Sequence, residues 1–177
     1  MIFRFDDVCI NSSMELHNQM TDFLLKRFPQ CEVIWAVSPI THSTMERFQR
    51  VFPKEWNALS DHRTHYLLDS MGLPEYRDDV SIATHGLVHV DHRLLSKETQ
   101  ELSIILSAEL TGASIFVPPF NKWNKDTEAI CSENNLILIK YEMGWKSMEY
   151  NIYDPSQEWW YLHAREWTID SFIKWFE

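Results

Sequence analysis

Short apolar and aromatic runs alternate with stretches of helical character along this whole chain, and that alternation limits its possible folds more than any other property. Residues 1–8 predict a strand, and Asn11-Ser12-Ser13 offers capping oxygens for a helix running to about Phe28. Residues 33–37 predict a buried strand, 44–51 a helix, and 53–73 one or two short helices ended by Gly72 and Pro74. A third strand is expected over 80–84. Ser96 opens a helix in which Leu102, Ile105, Leu106 and Leu110 recur at helical spacing, with Gly112 placed to end it. Residues 114–117 predict a fourth strand that stops at Pro118-Pro119, 125–134 a helix, 136–139 and 159–162 further strands, and Thr168 caps a last helix through Phe176. Such a pattern implies an α/β protein with a mostly parallel sheet, open or rolled into a barrel. With 4 Gly, 7 Pro, no internal repeat and no low-complexity stretch, residues 1–177 read as one domain.

In α/β folds the working groups gather at the carboxyl ends of strands. Asp6-Asp7 follows an apolar run, as does Thr84-His85, which begins the segment His85-Gly86-Leu87-Val88-His89. Asp78-Asp79 precedes an apolar run and so lies at the wrong end of its strand. Two more strand ends carry unusual chemistry, Pro119-Phe120-Asn121 and His163. A carboxylate and two imidazoles leave open positions on a divalent ion, and a second carboxylate can take a proton from water held there, which points to a hydrolase. An Asp-Asp dipeptide or a spaced His pair arises readily by chance. Four chemically equipped strand ends do not.

Taken in order, these segments resemble the motifs of the polysaccharide deacetylase family, metal-dependent carbohydrate esterases of family four that remove acetyl groups from sugars. Phe5-Asp6-Asp7 is similar to the first motif, His85 to His89 to the second, Val117-Pro118-Pro119-Phe120 to the third, and Tyr161-Leu162-His163 to the last. The resemblance spans nearly the whole chain and implies a distorted (β/α) barrel with fewer than eight strands. It further implies Asp6 as general base, Asp7, His85 and His89 as ligands of a divalent metal, zinc foremost, and His163 as the acid that protonates the leaving amine. The main-chain N–H of Phe120 would stabilise the oxyanion. A helical turn would put the imidazoles of His85 and His89 on one face.

Two departures stand out. The family's third motif opens with an arginine that partners the base, and here that position is Val117. Arg4, Arg93 or Arg165 must substitute; Arg4 shares a strand face with Asp6, and Arg165 closely follows His163 and is preferred. The fourth motif, an Asp and Trp region, has only Trp145 and Asp154 as possible remnants. Asp91 and His92 follow the ligand pair and are candidates for hydrogen bonds that fix a ligand tautomer, or else ordinary loop residues. Asn121, Trp123 and Trp167 are candidates for contact with substrate, the tryptophans as platforms for a sugar ring or as core. Trp35 and Trp175 are expected in the core, and His17, His42, His62 and His65 in surface or core roles.

The formal net charge of -10, from 26 acidic and 16 basic side chains, argues against nonspecific binding to nucleic acid or to an anionic membrane. No apolar run approaches the roughly 18–20 residues of a membrane span. Met1 runs straight into a strand with no basic or apolar leader, so a cytoplasmic protein is expected. Cys9, Cys31 and Cys131 are odd in number and widely spaced, which suits a reducing compartment. The expected function is therefore removal of an N-acetyl group from an acetylated amino sugar, as in precursors of surface glycan or lipopolysaccharide O-antigen. The alternatives are an inactive sugar-binding protein on the same fold, or a metal-dependent amidase acting on a non-sugar substrate.

Overall fold

The computed structural model describes residues 1–8, 13–39, 50, 76–87 and 89–177. Seven strands form one sheet: β1 (Ile2–Val8), β2 (Glu32–Val37), β3 (Ser81–Thr84), β4 (Ile115–Phe116), β5 (Ile137–Leu138), β6 (Lys146–Ser147) and β7 (Trp159–His163). Their order is β5-β4-β3-β2-β1-β7-β6, and every pairing is parallel. The sheet curls into a half-barrel, which is the distorted (β/α) barrel expected from the sequence. Helices α1 (Met14–Arg27), α2 (Lys97–Thr111), α3 (Lys125–Glu133) and α4 (Ile169–Trp175) return the chain between parallel strands or pack on them. The helices expected over 44–51, Arg50 apart, and over 53–73 lie outside the described residues, as do Cys9, Asn11, Ser12, His42, His62 and His65.

Period-two alternation in β1 divides the molecule. Phe3 and Phe5 pack with Trp35, Trp160 and Leu162 against Met20 and Leu24 of α1 and Phe172 of α4, in the largest apolar cluster. The intervening residues Ile2, Arg4 and Asp6 fall on the other face, where Ile34, Ala36, Ala83, Val117 and Trp145 cluster. A third cluster joins Ile104, Phe116, Ile130 and Cys131. Because the strands are parallel, their carboxyl ends share one edge, and Asp6, Asp7, His85 and His163 all stand there.

Helix ends follow their signals. Ser13 caps α1 by accepting from Leu16 N–H, Ser96 caps α2, and Gly112 ends α2 in the left-handed conformation at φ 68°. The leucine stripe of α2 is an exception. Leu102, Ile105, Leu106 and Leu110 are only half-buried, and the buried face consists of Thr99, Gln100, Ser103, Ile104, Ser107, Ala108 and Thr111. Small hydroxyl-bearing residues bond directly to β3 and its loop: the Thr84 hydroxyl donates to Ser107 Oγ at 2.6 Å. Strand β6 was not legible, because two residues without an apolar run carry no periodic signal.

Candidate metal centre and its acid–base flank

Asp7 owes its position to a bulge. Along β1 and β2, Phe5 pairs with Trp35 and Val8 with Val37, so two residues of β1 face one of β2, and Asp7 takes a left-handed φ of 59°. A bulge redirects a side chain that the pleat would have sent to the opposite face, and so both aspartates can serve one edge. Aspartate tolerates this backbone better than most residues.

His85 follows β3 directly and is buried. Its Nδ1 donates to the Val117 carbonyl at 2.8 Å, so Nε2 is the nitrogen that faces the site. Nε2 is itself buried, with no hydrogen-bond partner among the described residues, and lies 3.3 Å from Asp7 Oδ1. His89 Nε2 lies 3.0 Å from the same oxygen, and the two imidazole centroids are 5.1 Å apart. The helical turn expected between them is not seen among the described residues: 85–87 and 89 are non-helical, and Gly86 turns the chain at φ 80°.

Asp7, His85 and His89 thus offer three ligand atoms all within 4.8 Å of one another. Burial by itself would raise the Asp7 carboxyl, but the two imidazoles outweigh it and hold it well below the usual carboxylate range. An ionised carboxylate with two imidazole nitrogens, one of them buried and otherwise unsatisfied, is a donor set that fits a divalent ion such as zinc.

Asp6 sits beside this triad, buried and gripped by Arg4. Arg4 Nε donates to Oδ1 at 2.6 Å and Nη2 to Oδ2 at 2.8 Å, while Nη2 also reaches Asn121 Oδ1 at 2.6 Å. The guanidinium carbon lies 4.6 Å from the centroid of a Trp145 ring and 5.1 Å from that of Tyr161. Arg4 is therefore the cation that pairs with Asp6. Arg165, preferred for that place from the sequence, instead donates to Asp7 Oδ2 at 2.6 Å.

His163 ends β7 directly opposite Asp6 in register. Its Nε2 is 3.8 Å from Asp7 Oδ2, and its Nδ1 is 3.3 Å from Glu149 Oε1, which also accepts the His163 main-chain N–H at 2.6 Å. Burial pulls the His163 pKa down, but the hydrogen bond to Glu149 and the charges of Asp6, Asp7 and Glu149 outweigh it and raise the pKa above its ordinary value. Glu149 responds in kind: burial alone would raise it, yet hydrogen bonds from His163 and Ser147 hold it at about 2.

Sequence reasoning missed Glu149. Of the residues offered for the fourth motif, Trp145 stacks on Arg4, while Asp154 closes a turn on Ser156. The available signal was a carboxylate between the third and last motifs, and Glu149 is one of several there.

Of the remaining candidates, Phe120 and Asn121 stand beside His89 and Arg4. Phe120, 54% exposed, stands edge-on to His89 with centroids 4.3 Å apart, and both it and Asn121 have positive φ, at 58° and 55°. Asp91 pairs with Arg93 and Lys122. His92 is fully buried, and burial pushes it down to about 4. Trp123 is half-buried just before α3. Trp167 packs edge-on against Phe172 and Trp175 within the aromatic core, where Trp35 also lies and against which Trp175 packs. Phe116 packs edge-on against His92.

No protein family's sequence model and no curated protein matches the chain. Solved structures do match its fold. A family 4 carbohydrate esterase from Streptomyces lividans, in complex with acetate, superposes with a TM-score of 0.57 at 11% identity, over 98% of this chain and 82% of that one. A peptidoglycan N-acetylglucosamine deacetylase gives a TM-score of 0.56 at 12% identity, over 99% and 79%. A family 4 pseudoenzyme from Bacillus anthracis gives 0.55 at 9%, over 98% of this chain and 59% of that one. At these identities the likeness establishes the fold.

Proposed function

We propose that this chain is a metal-dependent N-deacetylase acting on an acetylated amino sugar, with zinc held by Asp7, His85 and His89. The observation that carries the reading is one sheet edge bearing a three-donor cluster flanked by a buried carboxylate, Asp6, and an imidazole, His163, in register on neighbouring strands. Activities named for two proteins of the same fold support it. A divalent ion at the cluster supplies Lewis acidity, which makes water a nucleophile near neutral pH and polarises an acyl carbonyl.

The chain's own groups supply the proton transfers. Asp6 takes the proton of the attacking water: its two Arg4 contacts leave a lone pair on each oxygen, since an ionised carboxylate has about four acceptor sites. His163, with Nδ1 engaged by Glu149, delivers a proton from Nε2 to the departing amine. The Phe120 N–H faces the developing oxyanion in this reading. The same reading takes residues 1–177 as one catalytic domain, supported by the pairing of β1 with β7 across the ends of the chain. The same reading places the protein in a reducing, cytoplasmic setting, which suits a precursor of surface glycan or lipopolysaccharide O-antigen as substrate. No helix among the described residues is long and apolar enough to cross a membrane.

A non-catalytic sugar-binding role is the second reading, favoured by Val117 in place of the family's arginine and by the pseudoenzyme of like fold. Acetate release from a panel of N-acetylated amino sugars separates the two. The zinc-loaded protein should release acetate, and chelation should stop it until metal is restored. Zinc-loaded, folded protein that releases none favours the binding role, and faster release from simple amides than from sugars favours an amidase.

A further inference from the structure

Behind the donor cluster, α2 presents hydroxyl groups to the loop that carries both imidazoles. Ser103 is fully buried there; its Oγ accepts the Leu87 main-chain N–H at 3.1 Å and lies 3.2 Å from His92 Nε2. His92 is also fully buried, with Nδ1 3.1 Å from the Val90 carbonyl oxygen. A carbonyl can only accept, so Nδ1 carries the ring proton, Nε2 is a bare acceptor, and the Ser103 hydroxyl proton points to it. The chain of bonds has one direction throughout: Leu87 N–H to Ser103, Ser103 O–H to His92, His92 Nδ1–H to Val90. Its two ends grip main-chain groups two residues past His85 and one residue past His89.

We propose that Ser103 is a positioning residue for the imidazole pair, acting through His92 to pin the 85–90 loop onto α2 so that both Nε2 atoms face Asp7. The inference rests on the metal-site reading above. None of the described residues of that loop is helical, and it turns at Gly86, so its shape depends on contacts from outside. His85 has its own anchor on Val117, whereas His89 has an exposed phenylalanine beside it. Hydrogen-bonded supports behind metal ligands are typically worth about 10- to 100-fold in metal affinity.

Zinc titration against a chromophoric chelator tests this with wild type, Ser103→Ala and Ser103→Thr, alongside the thermal midpoint of each metal-free protein. Ser103→Ala should bind zinc about 10- to 100-fold more weakly, and Ser103→Thr, which keeps the hydroxyl, should stay near wild type. A merely structural role would lower the midpoint and leave the affinity of folded protein unchanged. Should Ser103→Ala not fold, His92→Phe, which removes the acceptor of the Ser103 hydroxyl and keeps an aromatic ring beside Phe116, carries the same expectation. Zinc affinity of either folded variant equal to that of a zinc-binding wild type overturns the relay alone. A folded wild type that binds no zinc overturns the site, and the relay with it.

Discussion

Arg4 and Asp6 stand two residues apart on β1, so the pleat itself brings them to one face, and that shared face was legible from spacing although Arg165 was preferred as the partner. What spacing did not decide was which arginine would win, because Arg165 reaches the same edge from the 3-10 turn that follows β7. The planar Arg4 fork fits both carboxylate oxygens, and both partners are buried, at 0% and 4% exposure. Removing the cation would strand a buried charge. Arg4→Met should therefore destabilise the protein by about 3–5 kcal/mol in urea unfolding, and a loss below 1 kcal/mol would mean that the pair is not closed in solution. Arg4→Lys keeps the charge but not the fork, and should fold while losing activity. Glu149 was not legible: a lone acidic residue in an irregular segment gives no periodic or motif signal, and its partnership with His163 exists only once β7 is in place. Because Glu149 favours the imidazolium, Glu149→Gln should let His163 release its proton at lower pH. The alkaline limb of kcat/KM should accordingly move to lower pH, with the metal content unchanged; a limb that stays in place would exclude Glu149 as the partner of the acid.

Strand β1 and helix α2 show why elements are easier to read than their faces. The apolar runs of β1 and β2 predicted both strands, and capping residues predicted the ends of α1, α2 and α4. The buried face of α2 was misjudged, since apolar periodicity ranks residues by hydrophobicity alone, while this interface selects for small size and hydroxyl pairing. Ser107→Leu should therefore be costly although it adds apolar surface. It overfills a closed contact and strands the Thr84 hydroxyl, at about 1–3 kcal/mol for the overpacking. Leu106→Ala, on the half-buried stripe, should cost less than the roughly 2–5 kcal/mol of a core leucine. Denaturation midpoints of the two variants test the assignment, and the reverse ranking would return the core face to the leucines.

At the scale of the whole molecule, the site depends on parallel strand order. Neighbouring β1 and β7 bring Asp6 opposite His163 from opposite ends of the sequence, and β3 carries His85 to the same edge. The four marked strand ends anticipated this gathering, but the bulge at Asp7 and the loop that folds His89 back toward it are local backbone geometry that no sequence period encodes. The central claim is that Asp7, His85 and His89 form one metal centre. A crystal structure of the zinc-soaked protein, with anomalous data at the zinc edge, tests it most directly. A single anomalous peak is predicted within roughly 2.0–2.1 Å of one nitrogen each from His85 and His89 and at bonding distance from Asp7. Well-ordered side chains pointing apart, or zinc bound only elsewhere, would contradict it.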